Sequence, residues 1–131
     1  MVKSFALSDG MLLGYSCIDD EHRALVELLN DLADLPAGSD RERIAATLDE
    51  FIDAFERHCQ SEVEVFGKLG YPKTESHESH HEELVGKLKE LREREGNPDD
   101  LSSEALWILL EEAIREDLQA KSFLQYNGVT D

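Results

Sequence analysis

The sequence predicts an all-α protein, an up-down-up-down antiparallel four-helix bundle preceded by an N-terminal arm. Apolar residues recur at helical spacing in four segments, and no stretch alternates as a β-strand would. Glycine and proline interrupt the chain at the three short connections, so neighbouring helices should run antiparallel. The 131 residues fit one domain, 1–131, with residues 1–18 as the arm and 125–131 as a tail.

The first two helices are predicted from apolar residues at helical spacing and from residues typical of helix ends. The first should cover about Asp19–Leu35 and stop at the Pro36–Gly38 turn. The second should begin after Asp40, whose carboxylate suits an N-cap, and reach about Leu69. The turn signal Gly70–Pro72 then separates it from the third helix.

The last two helices are predicted in the same way. The third should start after Thr74, another N-cap candidate, and continue to about Arg94. The Gly96–Pro98 run breaks the pattern, so the fourth helix is expected to begin at Ser102 or Ser103 and to fray near Leu124.

Charge and hydropathy exclude several classes of partner. The formal net charge of −17 argues against nucleic acid and anionic membranes, because both bind basic patches. No apolar run is long enough for a transmembrane helix, and the first ten residues lack the apolar core of a secretory signal. We therefore expect a cytoplasmic protein, and most of its carboxylates should form a solvated surface.

Histidines and carboxylates with helical spacing suggest a metal centre. Residues four apart share a helix face, as His58 and Glu62 do on the second helix and His77 and His81 on the third. His22 stands alone on the first helix. The fourth helix offers four carboxylates: Glu111, Glu112, Glu116 and Asp117.

This donor mixture indicates a class of metal. Imidazole with carboxylate suits iron, manganese or zinc better than calcium or magnesium, and helical bundles build dinuclear sites from facing side chains. Structural zinc sites prefer paired cysteines, whereas Cys17 and Cys59 are far apart in the sequence. We expect these two cysteines to be packing residues. Alone, the His58–Glu62 pair would also be typical of a surface ion pair, and the His77–His81 pair could occur by chance on a polar helix face.

The order of these motifs resembles the hemerythrin family. The run from Gly14 through Ile18-Asp19 to His22 is similar to the start of the first helix in bacterial hemerythrins. His58-x3-Glu62, Gly70-Tyr71-Pro72 and His77-x3-His81 resemble the family's central signature in order and spacing. The likeness covers roughly residues 5 to 124.

The resemblance implies a non-haem centre of two iron ions joined by an oxo or hydroxo bridge. Glu62 and Asp117 would bridge both irons, and dioxygen or another small diatomic molecule or peroxide would bind at an open position on the first. No electron donor can be identified. The implied metal ligands are His22 and His58 on the first iron, His77, His81 and Glu112 on the second, and Glu62 and Asp117 on both.

The fourth helix departs from the family pattern. Glu112 stands five residues before Asp117, where the family has a histidine, and no histidine follows His81. Glu111 is the fallback candidate for that position. Leu7, where the family often has an aromatic residue, and Glu21, where it commonly has glutamine, are smaller departures.

Glu112 leaves three interpretations open. It could be an anionic ligand, it could face away and leave a water in its place, or it could be a surface residue in a chain that has lost its metal. As a ligand it would lower the positive charge of the centre and therefore its reduction potential. A more carboxylate-rich site could also take manganese at one position.

Two functional classes follow from these interpretations, with a third less favoured. The first is a protein that binds dioxygen for delivery or sensing. The second is a di-iron enzyme that reduces or turns over dioxygen, peroxide or nitric oxide. A sensor module would usually be fused to a signalling domain. His80 should face solvent or lie beside the centre without binding, and Cys59 could tune the site or simply pack.

Overall fold

The computed structural model describes residues 5–6, 9–36, 38–94 and 96–126, without the side chains at positions 9, 111–113 and 116. No strand occurs in these ranges, which agrees with the predicted fold class. A short 3-10 turn, Asp9–Met11, precedes the helices. The helices are α1 (Ser16–Ala33), α2 (Arg41–Lys68), α3 (Thr74–Glu93), α4 (Pro98–Trp107), a π-helical segment (Ile108–Ile114) and α5 (Arg115–Tyr126).

These elements form the predicted antiparallel bundle. The helix α1 packs against α2 and α4, and α3 packs against α2 and the π-helical segment. Because α4, the π-helical segment and α5 follow one another directly, together they act as the fourth helix of the bundle. Within the described ranges, none of these helices combines the length and apolar character that crossing a membrane would require.

A buried carboxylate fixes the start of α1. This helix begins at Ser16, three residues before the expected Asp19. The Asp19 carboxylate is buried and accepts hydrogen bonds from the backbone N–H groups of Leu13 (2.8 Å) and Gly14 (3.0 Å). Asp19 therefore ties the chain before the helix to its first turn, and this fixes the position of His22 one turn later.

The end of α2 is a Schellman motif built on Gly70. Gly70 has a φ of +78°, and its N–H donates to the carbonyl of Gly67, while the Tyr71 N–H donates to that of Phe66. The rings of Phe66 and Tyr71 lie 5.4 Å apart, which completes the motif with an apolar contact. The Gly70–Pro72 turn predicted from sequence thus directs the chain from α2 into α3.

Two helix starts differ from the prediction. The fourth helix begins at Pro98, because the Asn97 side chain caps it by accepting the N–H of Asp100 at 2.8 Å, and proline is favoured in a first turn. The expectation of Ser102 or Ser103 was therefore wrong. Thr74 is the first residue of α3 rather than its cap, and its hydroxyl donates to the Tyr71 carbonyl. The Asp40 cap is confirmed, since its carboxylate accepts the Arg43 N–H at 2.8 Å.

The π-helical segment keeps the fourth helix aligned with the core. Buried residues along α4 recur three or four apart, but Leu109 and Ile114, both buried, are five apart. A π-helix bonds residues five apart, and Arg115 does donate its N–H to the carbonyl of Leu110. The wider turn therefore returns Ile114, and after it Asp117, to the buried face.

Two apolar clusters lie on either side of a buried polar layer. The larger includes Leu25, Phe55, Leu84 and Leu109, and the smaller includes Ile18, Phe66, Tyr71, Ala120 and Leu124. His22 falls between the two clusters in the sequence of α1, as Glu62 does in α2. The polar layer is therefore closed from both ends of the bundle.

Replacing Gly70 tests the turn between α2 and α3. We expect Gly70→Ala to destabilise the protein by about 1–2 kcal/mol, since a side chain there is forced into the left-handed region although no atom blocks it. Gly67→Ala is the control, because Gly67 is helical and equally unobstructed. This substitution should increase the free energy of unfolding by about 0.5–1 kcal/mol. Urea unfolding measures both, and shifts in the same direction would contradict this account.

Candidate metal centre

The polar layer brings together side chains from all four bundle helices. Each lies within a helix whose apolar residues face the core, so helical periodicity turns these polar groups inward with them. All of them are at most 3% exposed. The residues are His22 from α1, His58 and Glu62 from α2, His77 and His81 from α3, and Asp117 from α5.

The first half of the centre lies between α1 and α2. The Nε2 atoms of His22 and His58 are 3.0 Å apart. Asp117 Oδ2 is 2.9 Å from His22 Nε2, and Glu62 Oε2 is 2.8 Å from His58 Nε2. Two imidazole nitrogens and two carboxylate oxygens thus surround one point.

The second half lies beside α3. His77 Nε2 is 2.8 Å from Glu62 Oε1 and 2.8 Å from Asp117 Oδ1. His81 Nε2 is 3.1 Å from Glu62 Oε1 and 4.0 Å from Asp117 Oδ1. The donor set of the first half is therefore repeated here with the other two histidines.

Each carboxylate is shared between the two halves. Glu62 turns Oε2 toward the first half and Oε1 toward the second, and Asp117 divides Oδ2 and Oδ1 in the same way. Within each group of four residues the candidate ligand atoms lie within 4.8 Å of one another. This arrangement suits two metal ions bridged by two carboxylates, as in carboxylate-bridged bundles.

Unpartnered atoms support a metal rather than a hydrogen-bonded cluster. Glu62 Oε2 and Asp117 Oδ1 are buried and have no hydrogen-bond partner among the described residues. Each oxygen does lie 2.8 Å from a histidine nitrogen, Glu62 Oε2 from His58 Nε2 and Asp117 Oδ1 from His77 Nε2, but closeness does not by itself make a well-directed hydrogen bond. A buried carboxylate oxygen without a partner is costly, and a cation would satisfy it. The imidazole and carboxylate donors fit iron, manganese or zinc.

The electrostatics show how the metal-free protein tolerates this layer. Burial lowers the pKa of His58, but the charge of Glu62 and the polar contacts with Asp117 and Glu21 outweigh burial and raise it to about 12. The same balance raises the pKa of His77 to about 10 and raises that of His22. Burial raises the pKa of Glu62, yet hydrogen bonds and the positive charge of His58 hold it well below its ordinary range. Protons on the histidines thus substitute for metal charge.

Aromatic rings separate the centre from water. The Phe55 ring lies 6.4 Å from the His58 ring and 6.3 Å from the His81 ring. On the other side, the Phe66 ring lies 5.4 Å from the His77 ring. These rings close a low-dielectric space around the donors, in which charges interact more strongly.

Several sequence-predicted residues are not among these two groups, either because the structure does not describe them or because they lie elsewhere. The side chains of Glu112 and of its fallback Glu111 lie outside the described part of the structure, although their backbone belongs to the π-helical segment. Leu7 and residues 127–131 of the predicted tail also lie outside it. His80 is half-buried, with Nδ1 3.9 Å from a Glu83 carboxylate oxygen.

The cysteines divide between core and surface. Cys59 is buried in the larger apolar cluster, and its burial, together with nearby carboxylates, raises the pKa of its thiol. Cys17 is exposed, contrary to its predicted packing role, because in the first turn of α1 the neighbouring Ile18, and not Cys17, is buried in the core. One contact escaped the spacing argument: Glu21 accepts a hydrogen bond from His58 Nδ1 at 2.7 Å.

Comparison with known proteins relates these features to one family. A family model described as "Hemerythrin HHE cation binding domain" matches residues 13–121. A bacteriohemerythrin of Stenotrophomonas maltophilia is 31% identical over 115 residues, which are 86% of this chain and 75% of that protein. A bacteriohemerythrin of Methylococcus capsulatus is 33% identical over 76 residues, 58% of either chain. A myohemerythrin of Theromyzon tessulatum is 32% identical over 75 residues, 57% of this chain and 58% of its own.

The stability of the metal-free protein should fall as pH rises. The raised pKa values of His58 and His77 contribute stability that is complete below about pH 6.5 and is lost as pH rises toward about 10 and about 12. Urea unfolding of chelator-treated protein at about pH 6.5 and about pH 9.5 measures this. Zinc-loaded protein is the control. Because metal replaces the protons, the decrease in its free energy of unfolding between the two pH values should be smaller. A constant or rising stability of the metal-free form would contradict the prediction.

Substitutions should distinguish shared from unshared ligands. We expect Glu62→Ala to reduce metal occupancy in both halves, since its two oxygens face different halves, whereas His81→Ala should reduce one. Glu64→Ala, an exposed position on the same helix, is the control and should bind like the parent. Metal per chain is measured by elemental analysis after dialysis. Equal occupancy in Glu62→Ala and His81→Ala would argue against carboxylate sharing.

Proposed function

The chain belongs to the hemerythrin family, and we propose from this premise that it is a non-haem di-iron protein that binds dioxygen. The observation that carries the proposal is the pair of buried donor groups sharing Glu62 and Asp117. Two irons held there would supply the electrons and the free coordination position that dioxygen requires.

The two halves differ in their proposed number of donors. His22, His58 and one oxygen from each carboxylate would hold the first iron, which gives four protein donors. His77 and His81 with the other two oxygens would hold the second, and Glu112 would add a fifth. The half with fewer protein donors keeps room for a small ligand, so we place dioxygen beside His22 and His58.

The backbone of the fourth helix supports Glu112 as that fifth donor. In an α-helix, positions five apart differ by about 140° around the axis, because each residue turns by about 100°. The π-helical segment widens the turn and brings positions five apart closer to one side. Glu112 and Asp117 have this spacing, whereas Glu111 is six residues before Asp117. π-helical turns also occur frequently at functional sites.

An anionic donor at this position should shift the balance between carriage and reaction. Replacing a neutral imidazole by a carboxylate removes one positive charge from the centre and stabilises its oxidised state. The reduced protein would then give up electrons to dioxygen more readily. We therefore propose that this chain oxidises in air faster than it would with a histidine there. The carboxylate-rich side is also where manganese could replace one iron.

A second candidate is a di-iron enzyme that turns over dioxygen, peroxide or nitric oxide. A cavity of about 500 Å³ lies outside the second half, between α2 and α3, and is lined by His81, Cys59 and Glu78 among others. It would give a small molecule a place next to the ligand side chains.

The free cysteines of the chain favour the cytoplasm as its compartment.

Glu112→His tests the proposed consequence of the carboxylate. We expect a longer lifetime of the oxygenated protein and a higher reduction potential, because the centre regains a positive charge. Stopped-flow absorption in air-saturated buffer and spectroelectrochemistry measure the two quantities.

Glu111→His is the matched control and should leave both quantities unchanged. Unaltered lifetime and potential in Glu112→His would refute a role for Glu112. Rapid peroxide consumption that only the parent chain shows would favour the enzyme.

A further inference from the structure

Both ring nitrogens of His58 face carboxylates. Nε2 lies 2.8 Å from Glu62 Oε2 inside the centre, and Nδ1 lies 2.7 Å from Glu21 Oε1 outside it. Because a carboxylate can only accept a hydrogen bond, Nδ1 is the donor in this contact, and Nε2 is the ring nitrogen left to bind a metal. The Glu21 contact thus selects the tautomer that coordination requires.

Glu21 reaches this position because of its place on α1. It precedes His22, so one short stretch of α1 provides a donor to the centre and a carboxylate to the back of His58 on α2. The rings of His22 and His58 are 4.6 Å apart, which shows how closely the two helices approach here. A shift of α1 along α2 would disturb both contacts together.

Glu21 also lies at the boundary between the centre and solvent. Its side chain is 33% exposed, whereas that of His58 is 2% exposed. Glu21 and His58 line a cavity of about 180 Å³ together with Ala54 and Arg57. The Glu21 carboxylate is therefore partly solvated while its hydrogen bond reaches a buried ring.

Two other histidines of the centre lack this support. His22 Nδ1 and His81 Nδ1 are buried and have no hydrogen-bond partner in the described part of the chain. The carboxylate behind His58 therefore distinguishes this ligand from His22 and His81. A second carboxylate behind a ligating histidine orients the ring and increases its basicity.

We infer that Glu21 is a positioning residue for His58 that strengthens metal binding in the first half of the centre and lowers the reduction potential there. This inference rests on the proposed function, since it presumes that His58 binds the metal. Glu21 contacts the His58 imidazole and would act on the metal through this ring. Its negative charge favours a higher positive charge on the neighbouring ion, and its hydrogen bond holds the ring in place.

Two substitutions separate the hydrogen bond from the charge. Glu21→Gln keeps an oxygen that can accept from His58 Nδ1 but removes the charge, whereas Glu21→Leu removes both. Glu27→Gln is the matched control, because Glu27 is exposed on the same helix and its change alters net charge equally. Circular dichroism of each variant verifies that the helices form.

Zinc is the first probe, because it binds the same donors without redox chemistry. We expect Glu21→Leu to weaken zinc binding about 10- to 100-fold, Glu21→Gln to weaken it less, and Glu27→Gln to leave it unchanged. In ¹⁵N-edited spectra of the zinc protein, the His58 Nδ1 proton should shift in Glu21→Gln and exchange rapidly with water in Glu21→Leu. With iron, Glu21→Gln should raise the reduction potential and Glu27→Gln should not.

The outcomes separate this inference from the proposed function. If the parent chain binds two metals and all variants match Glu27→Gln in affinity, in the His58 proton and in potential, the role of Glu21 is overturned while the metal centre stands. If the parent chain binds no metal, both are refuted. A graded loss from Glu21→Gln to Glu21→Leu supports the inference.

Discussion

The sharing of two buried carboxylates among four imidazoles is the constraint on which the rest of this structure depends. Glu62 and Asp117 are fully buried, and each directs one oxygen to either half of the centre. Such groups are costly in an apolar interior unless cations balance them. Without metal the balance comes from protons on the histidines, as the raised pKa values of His58 and His77 show. With metal, the same geometry would form the dinuclear site that we propose.

The remainder of the fold holds this layer in register. The Schellman motif at Gly70 sets the path from α2 to α3, and the Asp19 carboxylate anchors the chain before α1. The π-helical segment returns Asp117 to the buried face after the long step between Leu109 and Ile114. Each of these three features is local, yet each sets the position of a candidate metal ligand on a different helix. The apolar clusters above and below then exclude water from the donors.

Sequence reasoning reached the bundle and its inward-facing donors because both follow from spacing. Residues four apart on one helix must share a face, so His58 with Glu62 and His77 with His81 could be paired without coordinates. Helix starts were harder, since Asn97 and Ser102 are both good caps and only the following Pro98 and local packing decide between them. The π-helical segment could not be predicted, because Leu110 and Ile114 keep an ordinary four-residue spacing in the sequence, and the five-residue step from Leu109 to Ile114 appears only in the burial. The bond between Glu21 and His58 joins two helices, and no local pattern predicts such a contact.

Anomalous scattering at the iron and manganese edges, from crystals of the protein as isolated, tests the central claim most directly. The carboxylate-sharing arrangement predicts two separate metal peaks, one beside His22 and His58 and one beside His77 and His81, with Glu62 and Asp117 between them. The iron edge should account for at least the first peak. A single peak, or two peaks that do not share these carboxylates, would contradict the account.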